Sequence, residues 1–324
     1  MNQIRQKQHA NRMRADTFAN VQESVAVSKQ TARICLSGDC QHTVTVTDVW
    51  PRRIGILGGL GPFAHIEFER RLLEAATRHL GHSPRDQELP HWILASLPQT
   101  PDRSAAVLSG APSPVPLLLE GLRLLRDADF AVIACNTAHI FIAQLRDQAS
   151  LPIVDIVAET IKATIVGRRE RLKVGLLGST GTIESGLYQQ TAKAIGFPIE
   201  FVTPLDLKVS KLSGEVIQKR YVTDLIFGRS DGPDDLKGGI KAGAHNHLNT
   251  HRKMRASLTR LLKWFGEAGV GTVILGCTEL PLVLCSGSFG GMRLVDPLEI
   301  AASCAVEIAA GCRPLPTLMT QQDL

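Results

Sequence analysis

No stretch of this sequence approaches the roughly 20 apolar residues that a membrane-spanning helix requires, so a soluble protein is expected. Charge of one sign is also scarce. Lys and Arg number 36 against 31 Asp and Glu, a net of +5 spread over 324 residues, and no basic bank marks a nucleic-acid surface. A disulfide framework is missing too: seven cysteines is an odd number, no apolar signal segment accompanies them, and two of them end apolar runs. A reducing cytoplasm fits that usage better than an oxidising compartment. What the chain does have is core: 44% of its residues are hydrophobic, enough for one large domain or two ordinary ones.

Residues 1–51 differ from the rest. Met1 to Arg14 is rich in Gln, Arg and Asn without apolar periodicity, which predicts disorder. Its basic start suggests a transit peptide, but Asp16, Glu23 and Asp39 argue against one. Thr43 to Thr47 alternates like a short edge strand that Pro51 ends. Cys35 and Cys40 have no partner ligands nearby, so no metal is expected there.

From Arg53 strand and helix alternate. Ile54 to Leu57 reads as a strand and Phe63 to His79 as a helix. His91 to Leu97 is a strand, Leu117 to Asp127 a helix, and Pro152 to Val157 a strand closing the unit. The plan then repeats, with strands at Leu172 to Leu177 and Phe201 to Pro204, and a helix from Ile183 to Ile195.

Within this pattern, Val132 to His139 carries an apolar strand into Cys135-Asn136-Thr137-Ala138-His139. Cys135 therefore falls at the C-terminal end of a strand and near a helix N-terminus, where ligands bind in open α/β sheets and a thiol is more easily ionised. The alternative is a buried structural cysteine. Thr272 to Leu280 repeats the device as Gly276-Cys277-Thr278-Glu279-Leu280. Upstream, Ile54 to Gly61 matches Val174 to Gly181. The chain thus reads as a duplicated α/β unit.

Other signals are weaker. Gly59-Leu60-Gly61-Pro62-Phe63-Ala64 fits a dinucleotide pattern, but no acidic residue ends the second strand to hold a ribose, so the turn is better read as an anion or carboxylate cradle. Arg103, in the loop Pro98-Gln99-Thr100-Pro101-Asp102-Arg103, offers a planar fork for a carboxylate or simply caps the following helix. Lys241, in a glycine loop, either points at an anion or is solvated. His245, His247 and His251 lack a further ligand at metal spacing, and no metal is expected.

Together, Gly58-Gly59-Leu60-Gly61-Pro62, Pro98 to Arg103, Cys135 to His139, Ile240-Lys241-Ala242-Gly243 and Gly276 to Pro281 resemble the motifs of the cofactor-independent aspartate/glutamate racemase family, its aspartate racemase branch in particular. The resemblance runs from about Arg53 to Cys312. It implies two similar α/β lobes, each a parallel sheet flanked by helices and related by pseudo-twofold duplication, with a cleft between them holding one cysteine from each. The expected boundaries are an extension at 1–51, a first lobe at 52–157, a second at 158–296, a C-terminal helix at 297–312 packing back on the first lobe, and a tail at 313–324. It also implies a homodimer without cofactor. Leu60 stands where Met is usual, His65 where Thr is common, and the insertion-like run Arg229 to Lys237 lengthens the loop before Lys241.

The chemistry accounts for the duplication. Inverting an amino acid takes a proton from one face of Cα and returns one to the other, which two opposed thiols, Cys135 and Cys277, can do by alternating as base and acid. The carbanion needs charge spread onto its α-carboxylate, and donors aimed there are worth about 3 to 4 kcal/mol each. Asn136, Thr137 and Thr278 are of the right type, and the resemblance assigns them to the carboxylate. It likewise puts Arg103 and Lys241 on an acidic substrate, with Gln99 and Leu60 among the binding residues. Two cations favour a dicarboxylate, hence aspartate ahead of glutamate. His139 and Glu279 either orient or deprotonate a thiol, or are tied to backbone. The rivals are a hydantoin racemase, a maleate isomerase, a non-catalytic binder of acidic amino acids, and a pyridoxal-phosphate racemase using Lys241.

Overall fold

The computed structural model describes residues 49–168, 170–209, 211–228, 239–284 and 286–317. The expected strand at Thr43 to Thr47, Cys35 and Cys40, the run Arg229 to Lys237, and residues 318–324 of the tail lie outside them. From Trp50 the chain forms one compact unit.

Its first half is built from β1 (Ile54–Gly58), α1 (Pro62–Leu80), β2 (Trp92–Ser96), α2 (Arg103–Leu108), α3 (Val115–Leu124), β3 (Phe130–Ile133), α4 (Ile142–Gln148), β4 (Ile153–Val154) and α5 (Ile156–Ile165). The four strands form a fully parallel sheet in the order β2-β1-β3-β4. β1 and β3 are buried along their whole length, as strands covered on both faces must be. α1 begins at a proline, buries Ala64, Phe68, Leu72, Ala75 and Ala76 at helical spacing, and ends at Gly81 in the left-handed conformation.

The second half comprises β5 (Leu172–Leu177), α6 (Thr180–Glu184), α7 (Leu187–Ile195), β6 (Ile199–Val202), α8 (Gly214–Gln218), α9 (Asp224–Phe227), α10 (Leu248–Glu267), β7 (Thr272–Leu275), β8 (Gly287–Phe289), β9 (Met292–Val295) and α11 (Pro297–Ala309). The sheet order is β6-β5-β7-β9-β8. Its first four strands are parallel and repeat the order of the other sheet, second, first, third, fourth. This is the duplication in topological form. In each sheet the order reverses beside the first strand, which opens a crevice at the C-terminal ends of β1 and β3 and of β5 and β7.

Three expectations need correction. The second sheet is mixed, because β8 pairs antiparallel to β9 at its edge. The expected strand Pro152 to Val157 is cut to two residues: the Asp155 carboxylate accepts from the Val157 and Ala158 amides and starts α5 at Ile156. The expected helix Ile183 to Ile195 is two helices, with Gly186 at φ 65° between them.

A central apolar cluster joins the two sheets through side chains of α1, α5, α7 and α11, including Phe68, Leu72, Ile161, Tyr188 and Leu298. Two outer clusters cover the other face of each sheet. α11 lies against α1 and α5. Its alanines 301, 302, 305 and 309 are buried, and such small side chains let helices approach closely. Among the described residues no helix is long and apolar enough to cross a membrane.

Asp296 caps α11, accepting from Leu298 N at 2.9 Å, and its Oδ2 lies 3.1 Å from Arg71 Nη2 of α1. Burial pushes its carboxyl up to about 6, only partly offset by Arg71 and the cap bond. A carboxyl whose folded value exceeds its unfolded one binds protons more tightly when folded, so its contribution to stability is gained as pH falls below 6 and absent above it. The stability of the wild type relative to Asp296→Asn, measured by urea unfolding, should therefore fall by about 2 to 3 kcal/mol between pH 4 and 7. A difference independent of pH would show that Asp296 does not titrate there.

Candidate active site

Both cysteines sit where a strand has just ended at a crevice. β3 stops at Ile133, Cys135 N bonds back to Ile133 O at 2.7 Å, and a 3-10 turn, Thr137–Phe141, follows. Cys277 follows β7 in the same way. The two thiols, both free, line one cavity with Asp102, Arg103, Ser104, Asn136, Thr137, Ser179, Phe227, Lys241, Thr278 and Glu279. Its volume is about 20 Å³. That is room for about one water, so an amino acid enters only if the lobes part or the side chains at the lip move.

Four hydroxyls close the cavity on one side. Thr137 Oγ1 is 3.1 Å from Ser179 Oγ and 2.9 Å from Thr182 Oγ1, and Ser104 Oγ is 3.4 Å from Ser179 Oγ. Here the lobes are nearly in backbone contact: a methyl on Gly181 would lie 2.5 Å from Ser104 Oγ. Asn136 is 98% buried; its Oδ1 accepts from Tyr188 O–H of the other lobe at 2.7 Å, and its Nδ2 has no partner. Burial, then the Asp155 charge, pushes the Tyr188 phenol well above its ordinary range, so it remains a donor.

The opposite wall is charged. Glu279, 1% exposed, receives Lys241 Nζ on Oε1 at 2.6 Å, and Cys277 Sγ at 3.0 Å and Thr278 Oγ1 at 3.1 Å on Oε2. Burial pushes its carboxyl up, but the Lys241 charge and these three bonds outweigh burial and hold it below the ordinary range. Burial pulls Lys241 down, and Glu279 together with charge on either thiol more than restores it. Burial and the adjacent carboxylate push the Cys277 thiol well up. Lys241 Nζ also lies 5.7 Å from the centre of the Phe227 ring at the lip, a cation–π contact.

Arg103 is buried rather than exposed. Its Nη1 donates to Thr100 O and Pro101 O, its Nη2 to Leu60 O at 2.5 Å, and its Nε has no partner. The helix is capped instead by Asp102, whose carboxylate accepts from Ala105 N. Leu60 contributes its carbonyl and not its side chain, taking Arg103 Nη2 and Lys241 Nζ together. Gln99 is exposed and does not line the cavity, contrary to its expected place on the substrate, because the loop turns it outward before Asp102 starts α2.

The glycine turn does cradle an anion, but a resident one. A methyl on Gly61, at φ 144°, would overlap Glu279 Oε1 and lie 2.8 Å from Lys241 Nζ. The Glu279 carboxylate thus occupies the N-terminal end of α1, where the helix field favours it. His65 stabilises the same turn by accepting from Gly59 N at 3.1 Å.

His139 is tied to backbone. Nδ1 donates to Cys135 O at 2.9 Å and Nε2 accepts from Ile156 N at 3.4 Å, so it shapes the turn that carries Cys135. His245 meets Phe63 edge to face, and among the described residues no group of three His, Cys, Asp or Glu side chains could hold a metal. Ser104, Ser179, Asp102 and Phe227 were not anticipated. Ser179 had a signal, since the duplication aligns it with Gly59; Phe227 and Ser104 had none.

A wider groove of about 770 Å³ lies elsewhere, between α5, β9 and α11. In its rim Glu159 pairs with Lys162 and Arg313, and burial pushes its one thiol, Cys304, up to about 12. The two thiols at strand ends belong to the small cavity.

The sequence profile of the Asp/Glu/hydantoin racemase family matches residues 57–228, more than half of the chain. The protein belongs to this family. Among characterised relatives it is 31% identical over 153 residues to a broad specificity amino-acid racemase from Bacillus subtilis, covering 44% of this chain and 61% of that protein. It is 28% identical over 200 residues to a glutamate racemase from Corynebacterium glutamicum, covering 61% and 59%. The matched region thus spans about three-fifths of the length of these relatives. The fold is shared with the Picrophilus torridus aspartate racemase, with TM-score 0.61 and 22% identity over 80% of this chain and 94% of that one. It is shared as well with an aspartate racemase homologue from Pyrococcus horikoshii, with TM-score 0.55 and 22% identity over 80% and 99%.

Proposed function

We propose that the protein is a cofactor-independent amino-acid racemase that interconverts L- and D-aspartate, Cys135 and Cys277 acting as the two bases. The observation that carries this reading is one thiol from each duplicated unit, at equivalent strand ends, lining a single small cavity. A binding protein has no use for either thiol. Asn136 Nδ2 and Arg103 Nε are buried donors without partners, the kind of group that a substrate carboxylate satisfies. Lys241, held charged by Glu279, is not the neutral amine that a Schiff base with pyridoxal phosphate needs. The reading carries with it a small acidic amino acid as partner, a reducing cytoplasm that keeps the thiols free, and a homodimer, the last tested by sedimentation.

A second reading, racemisation of neutral amino acids, is favoured by one observation: Glu279 neutralises Lys241, and the other acid of the cavity wall, Asp102, caps α2, which leaves Arg103 as the one cation there for a substrate carboxylate. The broad specificity of the Bacillus subtilis relative agrees with it. Proton NMR in deuterated water, on the reduced protein without added cofactor, separates the readings. Loss of the α-proton signal from L-aspartate with appearance of the D-enantiomer supports the first; exchange of alanine alone supports the second. No exchange with any amino acid would redirect the search to hydantoins and maleate. Arg103→Leu should reduce kcat/KM for aspartate on the order of a hundredfold, from loss of a desolvated charge pair, and leave alanine within about threefold. Equal losses would remove Arg103 from the substrate's side-chain carboxylate.

A further inference from the structure

The two thiols differ in their surroundings. In the duplicated motifs Cys135-Asn136-Thr137 and Cys277-Thr278-Glu279, the third position holds a hydroxyl beside one cysteine and a carboxylate beside the other. Thr137 turns away to Ser179 and Thr182, whereas Glu279 turns back and takes the Cys277 S–H at 3.0 Å. The carboxylate cannot swing aside. Lys241 holds its other oxygen at 2.6 Å, Thr278 shares Oε2, and Gly61 leaves no space behind it. The charged and titratable groups that face Cys277 are Glu279 from its own turn, Lys241 from the 3-10 turn Ile240–Ala242, and Asp102, Arg103 and Cys135 from the other lobe.

Building on the racemase reading, we propose that Glu279, fixed by Lys241, is a positioning residue that keeps Cys277 protonated, so that the ligand-free enzyme rests with Cys277 as the proton donor and Cys135 as the base. A hydrogen-bonded ionised carboxylate needs the thiol's proton, and a thiolate in that place would set two negative charges 3.0 Å apart in a site where both side chains are buried. In the first half-reaction Cys135 takes the α-proton from one face of the substrate while Cys277 passes its proton to the other. The Glu279–Cys277 bond then breaks, and turnover is completed when Cys277 takes a proton from solvent and Cys135 releases to solvent the proton it removed from the substrate, which makes it a base again. No electrons are exchanged. The enantiomer whose α-hydrogen faces Cys135 is thus the one that meets the resting enzyme ready to react.

The test is Glu279→Gln, with Glu279→Asp as the conservative variant. Glutamine keeps the shape and an acceptor oxygen but removes the charge, leaving Lys241 to favour a Cys277 thiolate. Alkylation of Cys277 by iodoacetamide at pH 8, read peptide by peptide by mass spectrometry, should accelerate about tenfold or more. The alkaline limb of kcat/KM for racemisation, which reports loss of the donor's proton, should move down by about one pH unit. Because the equilibrium constant of a racemisation is one, kcat/KM stays equal for the two enantiomers. The ratio of their kcat values should change, with KM changing in proportion. Aspartate at 279 should restore the alkylation rate and the alkaline limb. If Glu279→Gln leaves Cys277 reactivity and the pH profile unmoved, the inference is wrong, even if activity falls. If Cys277→Ala still racemises at the wild-type rate, the two-thiol reading itself fails, and the inference with it.

Discussion

Cys135→Ala and Cys277→Ala are each expected to lower the rate of aspartate racemisation on the order of a thousandfold, the scale at which a positioned acid or base contributes. The two losses should not multiply. With either sulfur gone one face of Cα has no proton carrier, so the double variant should be about as inactive as each single one. The fold should survive. Each thiol lies in the wall of the cavity, and loss of Cys277 leaves Glu279 still held by Lys241 and Thr278. Unfolding free energies of the variants in urea should stay within about 1 kcal/mol of wild type, while the NMR assay shows D-aspartate forming on the order of a thousandfold more slowly. A single variant that racemises at the wild-type rate would end the two-base assignment.

Lys241→Met is expected to be the most destabilising change at the site. Glu279 has only 2% of its side chain exposed, and removing its cation leaves a buried carboxylate compensated by hydrogen bonds alone, at a cost of about 3 to 5 kcal/mol. The pH dependence should change sign. In the wild type the Glu279 carboxyl is held below its ordinary range, so its contribution is present at neutral pH and lost as acid titrates it. In Lys241→Met the unpaired carboxyl is pushed up, and acidification should restore stability by neutralising it. Adding Glu279→Met should recover most of the loss at neutral pH, because two apolar side chains then replace the pair. Urea unfolding of the wild type, the two single variants and the double variant measures the coupling. A cost below about 1 kcal/mol for Lys241→Met would mean that the pair is not formed in solution.

Much of this arrangement is legible in the sequence because it is local. A β-branched run ending in glycine or cysteine reads as a strand reaching a crevice, and its repetition about 120 to 140 residues later exposes the duplication. Both cysteines could be picked out by the strand ends they follow, whereas Arg103 and Lys241 read locally as a helix cap and a solvated charge and are put on the substrate only by the family resemblance. What could not be read was set by contact between segments far apart. That Arg103 spends three hydrogens on backbone carbonyls depends on where the glycine turn carries Leu60. That the cradle at Gly61 is filled by Glu279 depends on the docking of one lobe on the other. The local misreadings have local causes. Asp155 interrupts an apolar run and Gly186 a helical pattern that otherwise look continuous, and both residues favour the ends of helices over their interiors. The strand Gly287–Phe289 is too short and too rich in glycine and serine to show an alternating pattern.

The position of α11 bears on how the chain comes to be folded. Phe68, Leu72 and Ala76 of α1 belong to a cluster that is completed by Leu298, Ala301, Ala305 and Ala309. The backbone at Arg52 closes on the same helix, its N–H bonding to Ala309 O and its guanidinium to Ile308 O and Arg313 O. During synthesis the first sheet leaves the ribosome well before the helix that finishes its core. The sides of α1 and α5 that α11 will cover therefore stay exposed while more than a hundred further residues are made.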